Sequence, residues 1–251
     1  MAGYKETPRQ KMIAMMYLVL TALLALNVSR EILTAFLVVN ESMETTNKQF
    51  SAKVEDLYSD FEKQYSINPN KVEEYWNKAK EVKKLSAEMV DYINLQKATI
   101  ISLTEGITLE QADTSRLLYI EKKDNYDIPT NYFIGSDTKK GEAETFIAKI
   151  EDYKRSLLKL IEEKDREGFD LGLKTDGEYK NKDGVAEDWA YHHFYHTILA
   201  ADITILNKMI AEVYNAETNV VNYLFSSISA EDFKFDEVNA KVIPNSNYVF
   251  Q

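Results

Sequence analysis

Residues 12–29 read MIAMMYLVLTALLALNVS, eighteen positions without a charge. As a helix this stretch is about 27 Å long, against a hydrocarbon core of about 30 Å, so its reading decides whether the chain is anchored in a membrane. Thr7-Pro8 ahead of it forms a helix start, with Thr as N-cap and Pro at the first helical position. Lys5, Arg9 and Lys11 precede it and only Glu6 opposes them, so the first eleven residues carry +2 and the remainder −13. That order leaves the N-terminus in the cytoplasm and puts everything after about residue 30 outside. A cleaved signal peptide has the same charge order. Its apolar region is usually shorter, however, and Leu23-Leu24-Ala25 or Ala25-Leu26-Asn27 make poor cleavage sites. A buried core helix would show a one-sided pattern, which this stretch lacks and the next one has.

Working outward, the helical rhythm continues with no Gly or Pro until Pro69. Asn40, Met43, Asn47, Phe50, Val54, Leu57 and Phe61 recur at spacings of three and four, a bundle or coiled-coil seam. Asn40 and Asn47 are polar positions on it. They fit either a solvated stretch near the membrane or register control in a dimer. Asn68-Pro69 then turns the chain into a second long antiparallel helix. Its seam runs Val72, Tyr75, Ala79, Val82, Ser86, Met89, Ile93, Gln96, Ile100, Leu103 and Ile107.

Residues 108–142 are less regular. Leu117, Leu118 and Ile120 suit a short helix, while Asp127-Ile128-Pro129 and Gly135 read as loop. Phe146, Ile150, Tyr153, Leu157 and Ile161 mark a third helix. Asp176-Gly177 and Asp183-Gly184 are turn signals, and the first could close a small β-hairpin. A last helix is expected from about Ala186 to Ile228, buried on more than one side. Its line runs Trp189, His193, His196, Ala200, Ile203, Ile210, Tyr214, Val221, Leu224 and Ile228. From Asp232 the pattern alternates, as in a linker or the opening of a further domain. The expected fold is therefore all-α: residues 1–31 the cytoplasmic N-terminus and membrane helix, 32–230 a periplasmic bundle of long antiparallel helices, 231–251 a linker.

Composition narrows the chemistry. Acidic residues outnumber basic ones 41 to 30, a net charge of −11, which disfavours broad contact with nucleic-acid phosphates. Without a cysteine the chain has no disulfides, thiolate metal sites or cysteine nucleophiles. A Gly-rich phosphate loop, Gly-x-Ser-x-Gly, His-Glu-x-x-His and the EF-hand spacing are all missing from the sequence. His192 and His196 are four apart and could share a metal on one helix face, with Glu187 or Asp188 as further ligands. The surrounding Trp189, Tyr191, Phe194 and Tyr195 argue for aromatic packing around His192, His193 and His196 instead. No cofactor and no catalytic set is expected. Arg9 reads as a snorkelling anchor or as an intramembrane cation facing a partner's carboxylate. Tyr17, two turns deeper, is the next polar handle.

The N-terminus resembles the GldM family, also called PorM. The resemblance is carried by Met1-Ala2-Gly3, Lys5, Thr7-Pro8-Arg9-Gln10-Lys11-Met12-Ile13, Met16-Tyr17-Leu18-Val19 and Ala25-Leu26-Asn27. Tyr214-Asn215-Ala216-Glu217, Asn222-Tyr223-Leu224 and Phe233-Lys234-Phe235 are similar too. The resemblance implies an inner-membrane, single-pass, non-enzymatic subunit of the type IX secretion and gliding machinery of Bacteroidetes. Its family counterparts form a dimer whose two membrane helices sit inside a ring of five GldL subunits, and proton flow is thought to rotate one against the other. They continue into β-rich periplasmic domains that meet outer secretion or gliding components, so this chain is expected to be the first part of a longer protein. Arg9 matches the arginine that faces an intramembrane glutamate of GldL, and Tyr17 a second polar position. A membrane-anchored periplasmic sensor or ligand-binding bundle is the alternative from another class; a periplasmic enzyme is a third.

Overall fold

In the computed structural model, residues 7–26, 30–136, 139–180 and 184–235 are described. The first helix, α1, spans Pro8–Leu26. Its start is a capping box. The Gln10 backbone N–H donates to Thr7 Oγ1 at 3.4 Å, and the Thr7 backbone N–H donates to Gln10 Oε1 at 3.0 Å. Two of the four donors left over at a helix start are thereby satisfied. Among the described residues no helix is long and apolar enough to cross a membrane. The predicted span Met12 to Ser29 includes residues 27–29, which lie outside the described residues, as does the junction with the next helix.

The bundle is built on three long helices, α2 (Arg30–Ile67), α3 (Pro69–Glu105) and α9 (Leu199–Phe235). Only Asn68 separates α2 from α3, with Pro69 at the first position of the new helix. Nine of the eleven seam positions predicted on α3, Val72 through Ile100, are buried. Helix α3 stops at Gly106, whose φ of 76° lets its N–H reach Ser102 O, a left-handed cap that only glycine adopts without strain.

The long helices are not all antiparallel to their neighbours. Asn40 meets Asn207, Tyr58 meets Glu217 and Phe61 meets Phe225, so numbers on α2 and α9 rise together. These two helices run parallel. Helix α3 runs against both, since Lys97 meets Asn207 while Lys83 meets Glu55. Two parallel helices need a crossover, and the chain supplies it between Gly106 and Ile198. It contains α4 (Leu109–Thr114), a 3-10 turn Leu117–Tyr119, α5 (Asp127–Phe133), α6 (Ala143–Lys159), α7 (Glu163–Arg166) and α8 (Trp189–Phe194). Helix α6 buries the predicted face Phe146, Ile150, Tyr153 and Leu157. At about 1.5–3 kcal/mol for each large apolar side chain, that face holds the crossover onto the bundle.

Four expectations change in the crossover. Asp127–Phe133 is a helix rather than a loop, because Pro129 falls within its first turn, where a missing N–H costs nothing. Gly135 begins a two-stranded hairpin, β1 (Gly135–Ser136) with β2 (Lys139–Lys140). A Cβ at Gly135 would collide with the Lys139 carbonyl, and one at Gly141 with that of Phe133. The second hairpin pairs β3 (Tyr179–Lys180) with β4 (Ala186–Glu187), so Asp176-Gly177 lies before it and does not close it. Last, no continuous helix starts at Ala186. That residue is in β4, α8 ends at Phe194, and His196 takes a φ of 53°. The break persists because the leading N–H groups of α9 are used elsewhere. Leu199 N–H donates to Asn125 O at 2.8 Å and Ala200 N–H to Lys123 O at 3.0 Å.

Helix α9 is the axis of the core, as its apolar residues off the main line foretell. Leu199, Leu206, Val213, Ala216, Val220 and Val221 are all fully buried. Its backbone continues to Phe235, past the expected bundle end at residue 230; residues 236–251 lie outside the described residues.

Candidate functional site

Helix α1 carries the two residues singled out for partner contact. Arg9 lies in its first turn and Tyr17 eight residues on, about 12 Å up the axis and about 80° round it. Both side chains are exposed, as are Met12, Met15, Met16 and Leu18 between them and beyond, these four at 68–71%. Thr21 turns inward on its own helix, its hydroxyl donating to Tyr17 O at 2.7 Å.

In the bundle, the seam between α2 and α9 is apolar except at two places. At the first, Asn207 Nδ2 donates to Asn40 Oδ1 at 2.7 Å, while Asn47 Nδ2 donates to the Asn207 carbonyl at 2.9 Å. Asn40 Nδ2 in turn donates to Glu44 at 2.8 Å, and Lys97 Nζ of α3 donates to Asn207 Oδ1 at 2.6 Å. Asn40 and Asn47 therefore set register inside one chain; neither of their predicted roles, solvated stretch or dimer contact, is needed to explain them. Burial lowers the Lys97 pKa, and Glu44 and Asp113 work against that. A cavity of about 60 Å³ beside Lys97, lined by Glu44, Asn94, Asp113 and Ser115, has room for a few waters but not for a metabolite.

At the second place, Tyr58 OH donates to Glu217 Oε1 at 2.8 Å in the closed core. Ser86 and Tyr153 hydroxyls pair beside it at 2.8 Å, bringing in α3 and α6. Glu217 is 3% exposed, and burial pushes its carboxyl up to about 7, with Tyr58, Lys83 and Ser86 pulling the other way. Burial raises the phenols of Tyr58 and Tyr153 as well, so both stay neutral donors. Nearer the start of α9, Asp202 is fully buried and neither of its oxygens has a hydrogen-bond partner; burial raises its pKa well above the carboxylate range.

These bonds were absent from the expected site, yet their signal was in the sequence. The predicted line on the last helix steps from Ile203 to Ile210 and from Tyr214 to Val221. The omitted beats at three-and-four spacing are Asn207 and Glu217. A polar residue standing where the rhythm demands an apolar one is a buried polar residue with a partner. Asp202 lies off the line and had no such signal.

The histidines go to separate duties. His193 stacks on Trp189 at 4.6 Å and its Nδ1 lies 2.8 Å from Trp189 O. His192 stacks on Tyr179 and lies 3.6 Å from Glu187. His196 sits beyond the end of α8, stacked on Tyr126, so it shares no helix face with His192. The aromatic layer is as expected: Phe194 stacks on Phe133 at 4.0 Å, and Trp189 lies parallel to Phe146 at 6.3 Å.

An apolar helix with a cationic first turn, followed by a helical bundle whose first and last helices are parallel and bonded to each other, defines a class of protein. That class is an all-α bundle preceded by a largely apolar helix. Residues 31–227 match the GldM N-terminal domain, and the chain belongs to the GldM family. No curated protein matches it. Membership associates the chain with the gliding-motility and type IX secretion machinery, in which the family supplies structural motor components.

Proposed function

We propose that this chain is the first part of a single-pass inner-membrane subunit of a proton-driven rotary motor. With GldL it powers type IX secretion and gliding by transmitting torque to the periplasm. The observation that carries this reading is the parallel pair α2 and α9. The chain joins the bundle at Arg30 and leaves it at Phe235, at the opposite end of helices about 55 Å long. A rod entered at one end and left at the other passes twist along its length; a bundle with both termini at one end does not.

Arg9 supplies the coupling to the ion. A glutamate deep in lipid stays neutral unless a cation pairs with it. Two copies of Arg9 in a dimer cannot serve five encircling glutamates at once. Proton arrival and departure then move the pairing from one glutamate to the next. Each proton crossing contributes about 2.3 kcal/mol per 100 mV, several times thermal energy. Tyr17 serves as a second polar contact inside the ring. The N-terminus stays in the cytoplasm, the membrane helix sits in inner-membrane lipid, and segments beyond Gln251 reach outer components. Arg9→Ala in the full-length protein is expected to abolish secretion and gliding while co-purification with GldL persists. Normal gliding in that variant refutes the reading.

A further inference from the structure

The bundle has two unlike ends. At one, α2 begins at Arg30, α3 stops at Glu105 and α9 starts at Leu199. This end carries Ile32 on α2, Leu103 on α3, Leu109 on α4, and Leu118 with Tyr119 on the 3-10 turn, each 48–73% exposed. The turn is held there by Glu105 of α3, which accepts the Lys122 backbone N–H at 2.7 Å, and by the Lys122 ammonium, which donates to Thr104 O at 3.0 Å. Leu117 and Ile120 on either side are buried and pin the turn, so Leu118 and Tyr119 project outward from a fixed support. Elsewhere beyond α1, among the described residues, exposed large apolar side chains are scattered. They are Val38 and Val39 on the flank of α2, Leu95, Val185, Tyr195 and, at the far end, Ile67. Apolar exposure concentrated in one place marks a contact surface.

Covalent reach says what lies opposite. Four peptide steps join Leu26, the last residue of α1, to Arg30, so the two are at most about 14 Å apart. With α1 in the membrane, the headgroup layer lies within reach of this end of the bundle. A second copy cannot cover it. Two copies anchored side by side turn the same end the same way, and only their flanks meet. We propose that this end rests on the lipid headgroups, with Leu118 and Tyr119 set into the interface. The proposal rests on the membrane-anchored reading of α1 and adds a second support to it. A tyrosine ring beside a leucine, with Lys123 Nζ donating to Leu118 O at 2.9 Å, suits a membrane interface, where apolar bodies sink and polar tips stay wet. Lys122 and Lys123 are offset by Glu121 and Asp124, so the attraction is apolar insertion and needs no anionic lipid. A fluid lipid surface opposes tilting of the rod yet yields to its rotation, so this foot keeps the bundle upright while it turns.

The sequence has no cysteine, so a nitroxide can be placed at one position at a time. The full chain is reconstituted into vesicles of phosphatidylcholine alone, without GldL. It is spin-labelled in turn at Leu18→Cys in α1, at Leu109→Cys and Leu118→Cys, and at Ile67→Cys at the far end. Collision rates with oxygen, which concentrates in lipid, and with a water-soluble nickel chelate give the depth of each label. The expected result is lipid at Leu18, interface at Leu109 and Leu118, and water at Ile67. Leu118→Ser with Tyr119→Ser, two exposed changes that leave the core intact, should return the Leu109 label to water while Leu18 stays in lipid. Water at Leu109 and Leu118 with lipid at Leu18 overturns this inference alone. Water at Leu18 overturns the anchored reading and this inference with it. A Leu109 label that stays at the interface in the double-serine variant overturns the role of Leu118 and Tyr119. Labels at this end that leave water only when GldL is added overturn the lipid contact and give the face to the protein ring.

Discussion

Glu217 makes the cost of a buried charge measurable. Its carboxyl is raised from 4.5 to about 7 in the fold, with burial the leading cause. The folded state thus binds a proton more tightly than the unfolded chain. The stability this contributes is complete below about pH 4.5 and is lost as pH rises to about 7 and beyond. At about 1.4 kcal/mol per pH unit the loss is at most about 3.5 kcal/mol. Urea unfolding of the native chain is expected to weaken from pH 5 to pH 8, and Glu217→Gln to remove most of that slope. Tyr58→Phe acts in the opposite sense. It strips the one donor from α2 and leaves the carboxylate at pH 8 one donor short, which should cost about 1–3 kcal/mol there and less at pH 5. Asp202, unpartnered and fully buried, adds a slope of the same sign, so Asp202→Asn should raise stability at neutral pH.

At the scale of elements, α2, α3 and α6 were legible because each has one buried face and one wet face. Period 3.6 then appears in the sequence: Asn40, Val54 and Phe61 on α2, nine seam positions on α3 and Phe146, Ile150, Tyr153 and Leu157 on α6 are buried, while Met43, Asn47, Phe50 and Leu57 are half-buried, Leu103 is exposed, and Tyr58, off the predicted line, is buried. Helix α9 resisted for the converse reason. Buried over most of its girth, with a narrow exposed line at Lys208, Asn215, Asn219, Asn222 and Ser226, it lost much of the contrast that dates a helix start, and its apolar run merged with the aromatic layer of α8. The break at His196 depends on carbonyls of Lys123 and Asn125, some seventy residues earlier, which no local pattern records. Asn207 is the element-level test. Asn207→Leu leaves Asn40 Oδ1 and the Lys97 ammonium short of partners, while Asn47 keeps the backbone carbonyl of residue 207, and should cost about 2–4 kcal/mol, read as a lowered denaturation midpoint with unchanged m-value. Asn207→Leu with Lys97→Met removes the stranded charge too and should recover part of the loss, a coupling that a double-mutant cycle measures.

Across the whole molecule, the parallel pairing of α2 and α9 decides what the bundle can do. Because the chain joins at one end and leaves at the other, rotation imposed at Arg30 appears at Phe235 only if the connection below is stiff. Inserting Gly-Ser-Gly-Ser after Ser29 in the full-length protein adds a flexible joint while leaving Arg9 and the bundle unchanged. On the proposed motor reading, assembly with GldL should survive and gliding speed should fall severely; an unaltered speed would speak against transmission through this junction. The sequence determined by itself the helical class, the apolar N-terminal stretch with its Thr7-Pro8 start, and the faces of three helices. Those features follow from periodicity, capping chemistry and charge order, all of which are local. Tertiary structure alone decided that the first and last long helices run parallel, that Asn40 and Asn47 answer Asn207, and that Glu217 rests on Tyr58. Each joins groups about 160 residues apart, and which partner satisfies a buried polar atom is settled only when the chain closes around it.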